Sequence, residues 1–405
     1  MKFRLSYFFL HIFCFSLALS EAIKNISWVL FIITWLLENH KRFNKKDIFS
    51  DRNIQINTLF LFTISLPLIV AYFCKFKMDE WDGCWDVIRY GFVWFALCHS
   101  SFCNSDNLKL LISLTVSTIL TSIYGLYEYY DTGARHIELN SVGHVNHSAI
   151  YLGLIICILI TQLFFINKKN LYISLLLISS LLFLLYIFFE MGARGAFIPV
   201  LLYTIIAIFL NSNLKIYKVL FISITALILY ISYLNSSELS KKFLSKSNGL
   251  RPQIFNTSLV FFKYSPNWGI GLENSKYFYN YKKFKEICKE SDVNIVHELY
   301  IPKGYNVHHA HNLYMQSLVE RGVWGSIPLV ILGLFWFRLL IQDYGKSKND
   351  HLRLFWGCSL AAFLMVFVGG IFNTTLHHEH GTLCLILFAF HYSTFKKLKD
   401  VKVSS

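Results

Sequence analysis

The chain has 405 residues, 55 % of them hydrophobic and only 15 % charged, where a soluble chain of this length carries about 25 % charged residues. That composition excludes bulk water as its main solvent. The net charge of +14 would suit nucleic acid, but the lysines and arginines sit mainly in short connecting segments and at the tail, where membrane orientation accounts for them, so nucleic acid is excluded as a partner. Apolar runs recur along nearly the whole length, continuous rather than alternating, which favours spanning helices over a β-barrel. The expectation is an all-α integral membrane protein of about twelve transmembrane helices with one large, partly helical outer loop.

In chain order, Met1-Lys-Phe-Arg4 and the apolar run ending at Ala18-Leu-Ser-Glu21 have the shape of a cleavable signal peptide. We read them as an uncleaved first span; either choice leaves the orientation of every later segment unchanged. Apolar runs then predict spans near 5–20, 24–38, 57–74, 85–103, 108–127, 148–166, 171–189, 196–211, 216–234, 322–341, 352–372 and 382–395. The nine cysteines show no paired metal-binding spacing. Cys14, Cys98, Cys157, Cys358 and Cys384 fall inside apolar runs and read as small core residues.

Charge sets the orientation. With the N-terminus inside, the inner segments collect Lys2 and Arg4, the cluster Lys41, Arg42, Lys45, Lys46 and Arg52, the pairs Lys168 with Lys169 and Lys215 with Lys218, then Lys346, Lys348, Arg353 and the tail from Lys396. The short outer loops hold only Lys24, Lys75, Lys77, Arg135 and Arg194, so the positive-inside rule selects this topology. The expected division is a bundle of nine spans over 1–234, an outer loop over 235–321, and three spans with a basic tail over 322–405. In a bacterium with two membranes the bundle lies in the inner membrane and the loop faces the periplasm. A connector that long is expected to carry the specific function. Within it, Pro252 to Tyr264 and Asn312 to Glu320 read as helices. The basic, aromatic stretch Tyr277 to Lys289 reads either as solvated, partly disordered surface or as a contact for an anionic glycolipid.

Three residues on the outer side stand out. Arg194, in Glu190-Met-Gly-Ala-Arg-Gly195, lies at the outer end of a long apolar run; it is either a snorkelling helix end or a functional charge with small neighbours that let a ligand approach. Arg251 follows Asn248-Gly-Leu and precedes Pro252, which puts a guanidinium beside a helix N-terminus, a combination suited to diphosphate. His311, in Val307-His-His-Ala-His311-Asn, opens the last helix of the loop, and its neutral imidazole would accept a proton from a sugar hydroxyl. Of His136, His144, His147, His377, His378 and His380, some could line an outer cavity, while more of them read as surface or interface residues. Adjacent His308 and His309 lack carboxylate or cysteine partners at helical spacing, and His377-His-Glu-His380 lacks the frame of a zinc-protease helix, so neither a metal nor a protease is expected.

Taken together, an arginine closing a mid-chain span, Gly-Leu-Arg251 opening the long outer loop and His311-Asn closing it resemble the O-antigen ligase and polymerase superfamily. The segments Lys263-Tyr-Ser-Pro-Asn-Trp-Gly-Ile-Gly271, Glu320-Arg-Gly322 and Gly143-His-Val-Asn-His147-Ser-Ala resemble the family pattern more loosely. The resemblance covers the span pattern over nearly the full chain, with its sharp motifs within 190–325. It implies a glycosyltransferase with His311 as catalytic base and Arg194 and Arg251 as the diphosphate-binding pair. The implied donor is an O-antigen polysaccharide on undecaprenyl diphosphate, and the implied acceptor is a sugar hydroxyl of lipid A-core, as in lipopolysaccharide biosynthesis.

That chemistry needs neither metal nor cofactor, because the leaving group is already a stable anion that calls for positive charge rather than a proton. In-line attack inverts the anomeric centre, and the activated donor supplies the energy, consistent with the lack of a Walker-type loop. An O-antigen polymerase or a protein O-oligosaccharyltransferase would use a similar donor. A transporter or flippase is the reading from a different class; the lack of an internal repeat and the gathering of charged groups at the outer edge count against it.

Overall fold

A computed structural model describes residues 4–44, 53–74, 80–100, 102, 104–134, 136–165, 170–210, 250–291, 293, 299–302, 307–346 and 349–404, with the backbone alone at 44, 80–82, 194 and 397–404. The expected span at 216–234 and the start of the outer loop, 235–249, lie outside the described residues. Among the described residues there are fourteen α-helices and no strand. They are α1 (Leu5–Ser16), α2 (Glu21–Asn44), α3 (Ile54–Phe73), α4 (Glu80–Cys98), α5 (Asn104–Asp131), α6 (Val145–Phe165), α7 (Leu171–Met191), α8 (Arg194–Leu210), α9 (Arg251–Tyr264), α10 (Ser275–Phe278), α11 (Tyr281–Glu290), α12 (Leu313–Tyr344), α13 (Asp350–Phe367) and α14 (His378–Ser404).

The protein is an all-α integral membrane protein. The helices α3, α5, α6, α7, α12 and the stretch Asp350–Ile371 are long and apolar enough to cross a membrane; α1 and Gly195–Leu210 are apolar but shorter. Every expected apolar run except 216–234 coincides with a helix.

Burial separates the helices by position. In α6, 94 % of the most apolar window is buried, against 28 % in α7, although both are strongly hydrophobic. The central helix is therefore α6, while α7 turns Leu171, Ile173, Leu175 and Leu176 outward. In water that apolar face would be exceptional, whereas in hydrocarbon it carries no penalty. Association of α6 with its neighbours relies on close approach of small residues: a Cβ on Gly153 would stand 2.9 Å from Val200 and 3.0 Å from Met365. The expectation for the cysteines holds, since all eight that are described are free and buried.

A second apolar core lies apart from the bundle. It joins α9, α10 and α11 to the first turns of α12 through Ile254, Phe261, Phe278, Phe284, Met315 and Val319. Phe261 is its hub, with Phe278 at 5.8 Å, Tyr279 at 5.3 Å and Phe284 at 5.9 Å in edge-on geometry, each such pair contributing about 0.5–1.5 kcal/mol. The basic stretch is resolved by this packing. Far from being disordered, α11 is an amphipathic helix that buries Phe284, Ile287 and Cys288 and leaves Lys282, Lys285 and Lys289 exposed.

This cap is bonded into α12 itself. Gly322 interrupts the helix with φ 64° and ψ −169°, a conformation that glycine alone adopts readily. The freed backbone groups pair with the turn after α9: Ile270 N–H donates to Val319 O (2.8 Å), Gly271 N–H to Glu320 O (3.0 Å) and Val323 N–H to Pro266 O (2.8 Å). The two strands of chain are so close that a Cβ on Gly322 would lie 2.3 Å from the Asn267 carbonyl, and one on Gly269 would lie 2.4 Å from that of Glu320.

Candidate active site

Three non-glycine residues in the described chain adopt left-handed backbone: Glu273 (φ 61°), His311 (φ 49°) and His378 (φ 47°). Such residues are uncommon and gather where surrounding structure holds a side chain in place for function. Here they come from three distant segments that meet at one end of the bundle, where α6, α8, α12 and α14 all begin.

His311 precedes the Asn312 cap, whose side chain accepts from Met315 N–H at 2.9 Å and starts α12. The imidazole is half-buried, with Nδ1 buried and unpartnered among the described residues. Burial lowers its pKa, the nearby charge of Arg251 lowers it further, and a hydrogen bond with the Asn373 side chain partly opposes them, leaving it at about 4. The ring is neutral at physiological pH and able to accept a proton. Arg251 opens α9 directly before Pro252, and its side chain is exposed, so the guanidinium stands at the rim while His311 lies deeper.

Around His311, the rings of His147, His309, His377, His378 and His380 are packed together, while His144 and His308 are exposed. His309 lies 4.1 Å from His311, centroid to centroid. His147, near the start of α6, is surrounded by His144 (5.8 Å), His309 (6.0 Å), His377 (6.1 Å), His378 (5.1 Å) and His380 (5.1 Å). Buried nitrogens of His147, His309 and His380 also lack partners. Burial, followed by repulsion from His311, pushes the His309 pKa well down. His377 behaves oppositely: burial would lower it, but its 3.0 Å hydrogen bond to Glu273 and that carboxylate's charge outweigh burial and raise it. The same bond lowers the pKa of Glu273. The pair favours the charged form of both partners, whereas burial drives His309, His378 and His380 towards the neutral form. No three histidine, cysteine or acidic side chains among the described residues are arranged to hold a metal ion.

Residues 145–330 match the family model described as O-antigen ligase. Over that stretch the chain is similar to the O-antigen ligase family. No curated protein matches it. The O-antigen ligase match runs from the first residue of α6 into α12 and takes in Arg194, Arg251 and His311. It leaves out Asn373 and the histidines of 377–380, which the fold brings to His311 from the connection before α14. Members of the O-antigen ligase family are glycosyltransferase-like enzymes of O-antigen processing.

The three residues expected from the sequence fare differently. Arg251 and His311 are neighbours, close enough for the one charge to perturb the other. Arg194 is the first residue of α8, and its side chain lies outside the described residues. Its backbone is placed beside the same connection, because a Cβ on Gly195 would stand 3.2 Å from Cβ of Phe372, next to Asn373. Sequence reasoning missed Asn373, the His377–Glu273 pair and the burial of Lys24, which was counted as an outer-loop charge. Lys24 is 4 % exposed and ion-paired with both Glu379 and Glu21. A lysine and a glutamate 355 positions apart carry no pattern that would have revealed the pairing.

Proposed function

We propose that this protein transfers an O-antigen polysaccharide from undecaprenyl diphosphate to a sugar hydroxyl of lipid A-core, at the periplasmic face of the inner membrane. The observation that carries the reading is the juxtaposition, within the matched domain, of a half-buried neutral imidazole at His311 with the Arg251 guanidinium. His311 removes the proton from the acceptor hydroxyl as its oxygen attacks the anomeric carbon. The bond from that carbon to the diphosphate oxygen breaks, and the electron pair leaves on the diphosphate. Arg251, together with Arg194, receives the developing charge, so the configuration inverts and no proton need reach the leaving group.

The two residues also modulate one another. The charge of Arg251 weakens His311 as a base; a diphosphate bound to the guanidinium offsets that charge and raises the imidazole's basicity. Donor binding thus prepares the base, which limits proton abstraction before both substrates are present.

Deleting the gene and displaying the lipopolysaccharide on a gel tests the assignment, with wild-type and His311→Ala genes supplied back. Core without O-antigen, polymer retained on the carrier lipid and rescue by wild type alone are expected. Core capped by a single repeat unit would transfer the assignment to polymerisation, and an unchanged ladder would sink both.

A further inference from the structure

One charged group beside the site has no role in the chemistry above. Arg321 is the residue directly before the break in α12. Its Nε is buried, and among the described residues the guanidinium makes no hydrogen bond or ion pair. The two carboxylates nearest in charge terms, Glu320 and Glu273, are engaged elsewhere: Glu320 Oε1 accepts from Ser275 Oγ at 2.8 Å, and Glu273 Oε1 holds His377. A half-buried cation left in this state is costly and marks a place where an anion from outside the chain is expected.

Arg321, Glu320 and His377 line a partly open cavity of about 120 Å³ bounded by α3, α4, α12, the 374–377 connection and α14. Thr374 lines the same cavity, and its Oγ1 is likewise buried without a partner. Much of the remaining wall is apolar, including Trp94, Leu329, Leu332 and Leu385. The space is comparable with the cavities of roughly 150 Å³ that take up benzene, so it admits a short length of hydrocarbon. Neither His311 nor Arg251 lines it.

We infer that this cavity binds the head and first chain units of an anionic prenyl lipid, with Arg321 and Thr374 meeting phosphate oxygens and the apolar wall taking the isoprenoid chain. A free phosphate would leave the apolar wall unused, and an uncharged lipid would leave Arg321 unpaired. A planar guanidinium suits phosphate geometry better than an ammonium. The inference rests on the proposed function for the prenyl character of the chain and adds a third arginine, outside the Arg194 and Arg251 pair, to the donor's binding.

Thermal melting of the purified full-length protein in detergent, titrated with undecaprenyl phosphate or with inorganic pyrophosphate, tests the site apart from catalysis. Undecaprenyl phosphate is expected to stabilise wild type and His311→Ala alike, to bind at least tenfold more weakly to Arg321→Gln, and to bind weakly to Leu332→Trp, which fills the apolar end. Arg321→Lys should recover part of the loss. Undiminished binding by Arg321→Gln, or pyrophosphate binding as tightly as the lipid, would overturn the assignment. Loss of transfer in His311→Ala with lipid binding intact supports the cavity independently of the base. Intact lipid binding combined with an unchanged lipopolysaccharide ladder in the gene deletion would keep the cavity and refute the transferase reading.

Discussion

Towards the far end of α12 and α14 from the candidate site, His391 is set between Ser359 and Asp343. Its Nδ1 lies 3.1 Å from Ser359 Oγ and its Nε2 3.5 Å from Asp343 Oδ2, while Trp336 Nε1–H donates to the same serine at 2.8 Å. Serine, histidine and aspartate in this order resemble a nucleophile with its base, yet Ser359 and His391 are 0 % exposed and each ring nitrogen faces a protein group. At the other end His311 is only half-buried, and the exposed Arg251 stands beside it. The difference between a histidine that ties helices together and one poised for chemistry lies in the route to solvent, because buried ring nitrogens are common to both ends.

Substitutions at the two ends should therefore separate rate from stability. His311→Ala is expected to slow transfer in a reconstituted assay by about 10²–10⁴-fold while leaving the melting temperature of the purified protein unchanged. A comparable fall in melting temperature would make His311 structural and erase the contrast. Ser359→Ala should do the reverse. It leaves Trp336 Nε1 buried without an acceptor, destabilising the protein by about 1–3 kcal/mol, with transfer per folded molecule unaltered; a rate defect in folded protein would show the far cluster to be functional.

The smallest effect is the most diagnostic. His311 accepts a proton only when neutral, so activity is retained above its pKa and lost as pH falls through it, giving an acid limb near pH 4 in the free protein. Removing the neighbouring charge with Arg251→Gln raises that pKa, and the limb of kcat/KM should move upward, towards the ordinary imidazole value of about 6.5. A limb that stays in place would mean that the two residues do not communicate.

The helices of the bundle were legible in the sequence because each apolar run carries its own signal within some twenty residues. The cap helix at Arg251–Tyr264 was legible for the same local reason, from proline in its first turn. The site was legible only where a residue stood in a recognisable local setting, as Arg251 and His311 did. The histidine cluster was not, since His147 and His380 are far apart in sequence and neither spacing nor periodicity links them. Arg321 was passed over as part of Glu320-Arg-Gly322, although a charge one residue before a glycine at the head of an apolar span was a signal that could have been weighed. The break at Gly322 had no local signature beyond the glycine itself, because its cause is the turn 266–271 lying against it.

That turn also constrains how the protein is made. The segment 266–271 leaves the ribosome some fifty residues before Val319, Glu320 and Val323, the residues it must bond to. Until those arrive, the N–H groups of Ile270 and Gly271 lack their acceptors, so the cap cannot finish folding ahead of α12. Completion of the cap and placement of the start of α12 therefore become one event in folding.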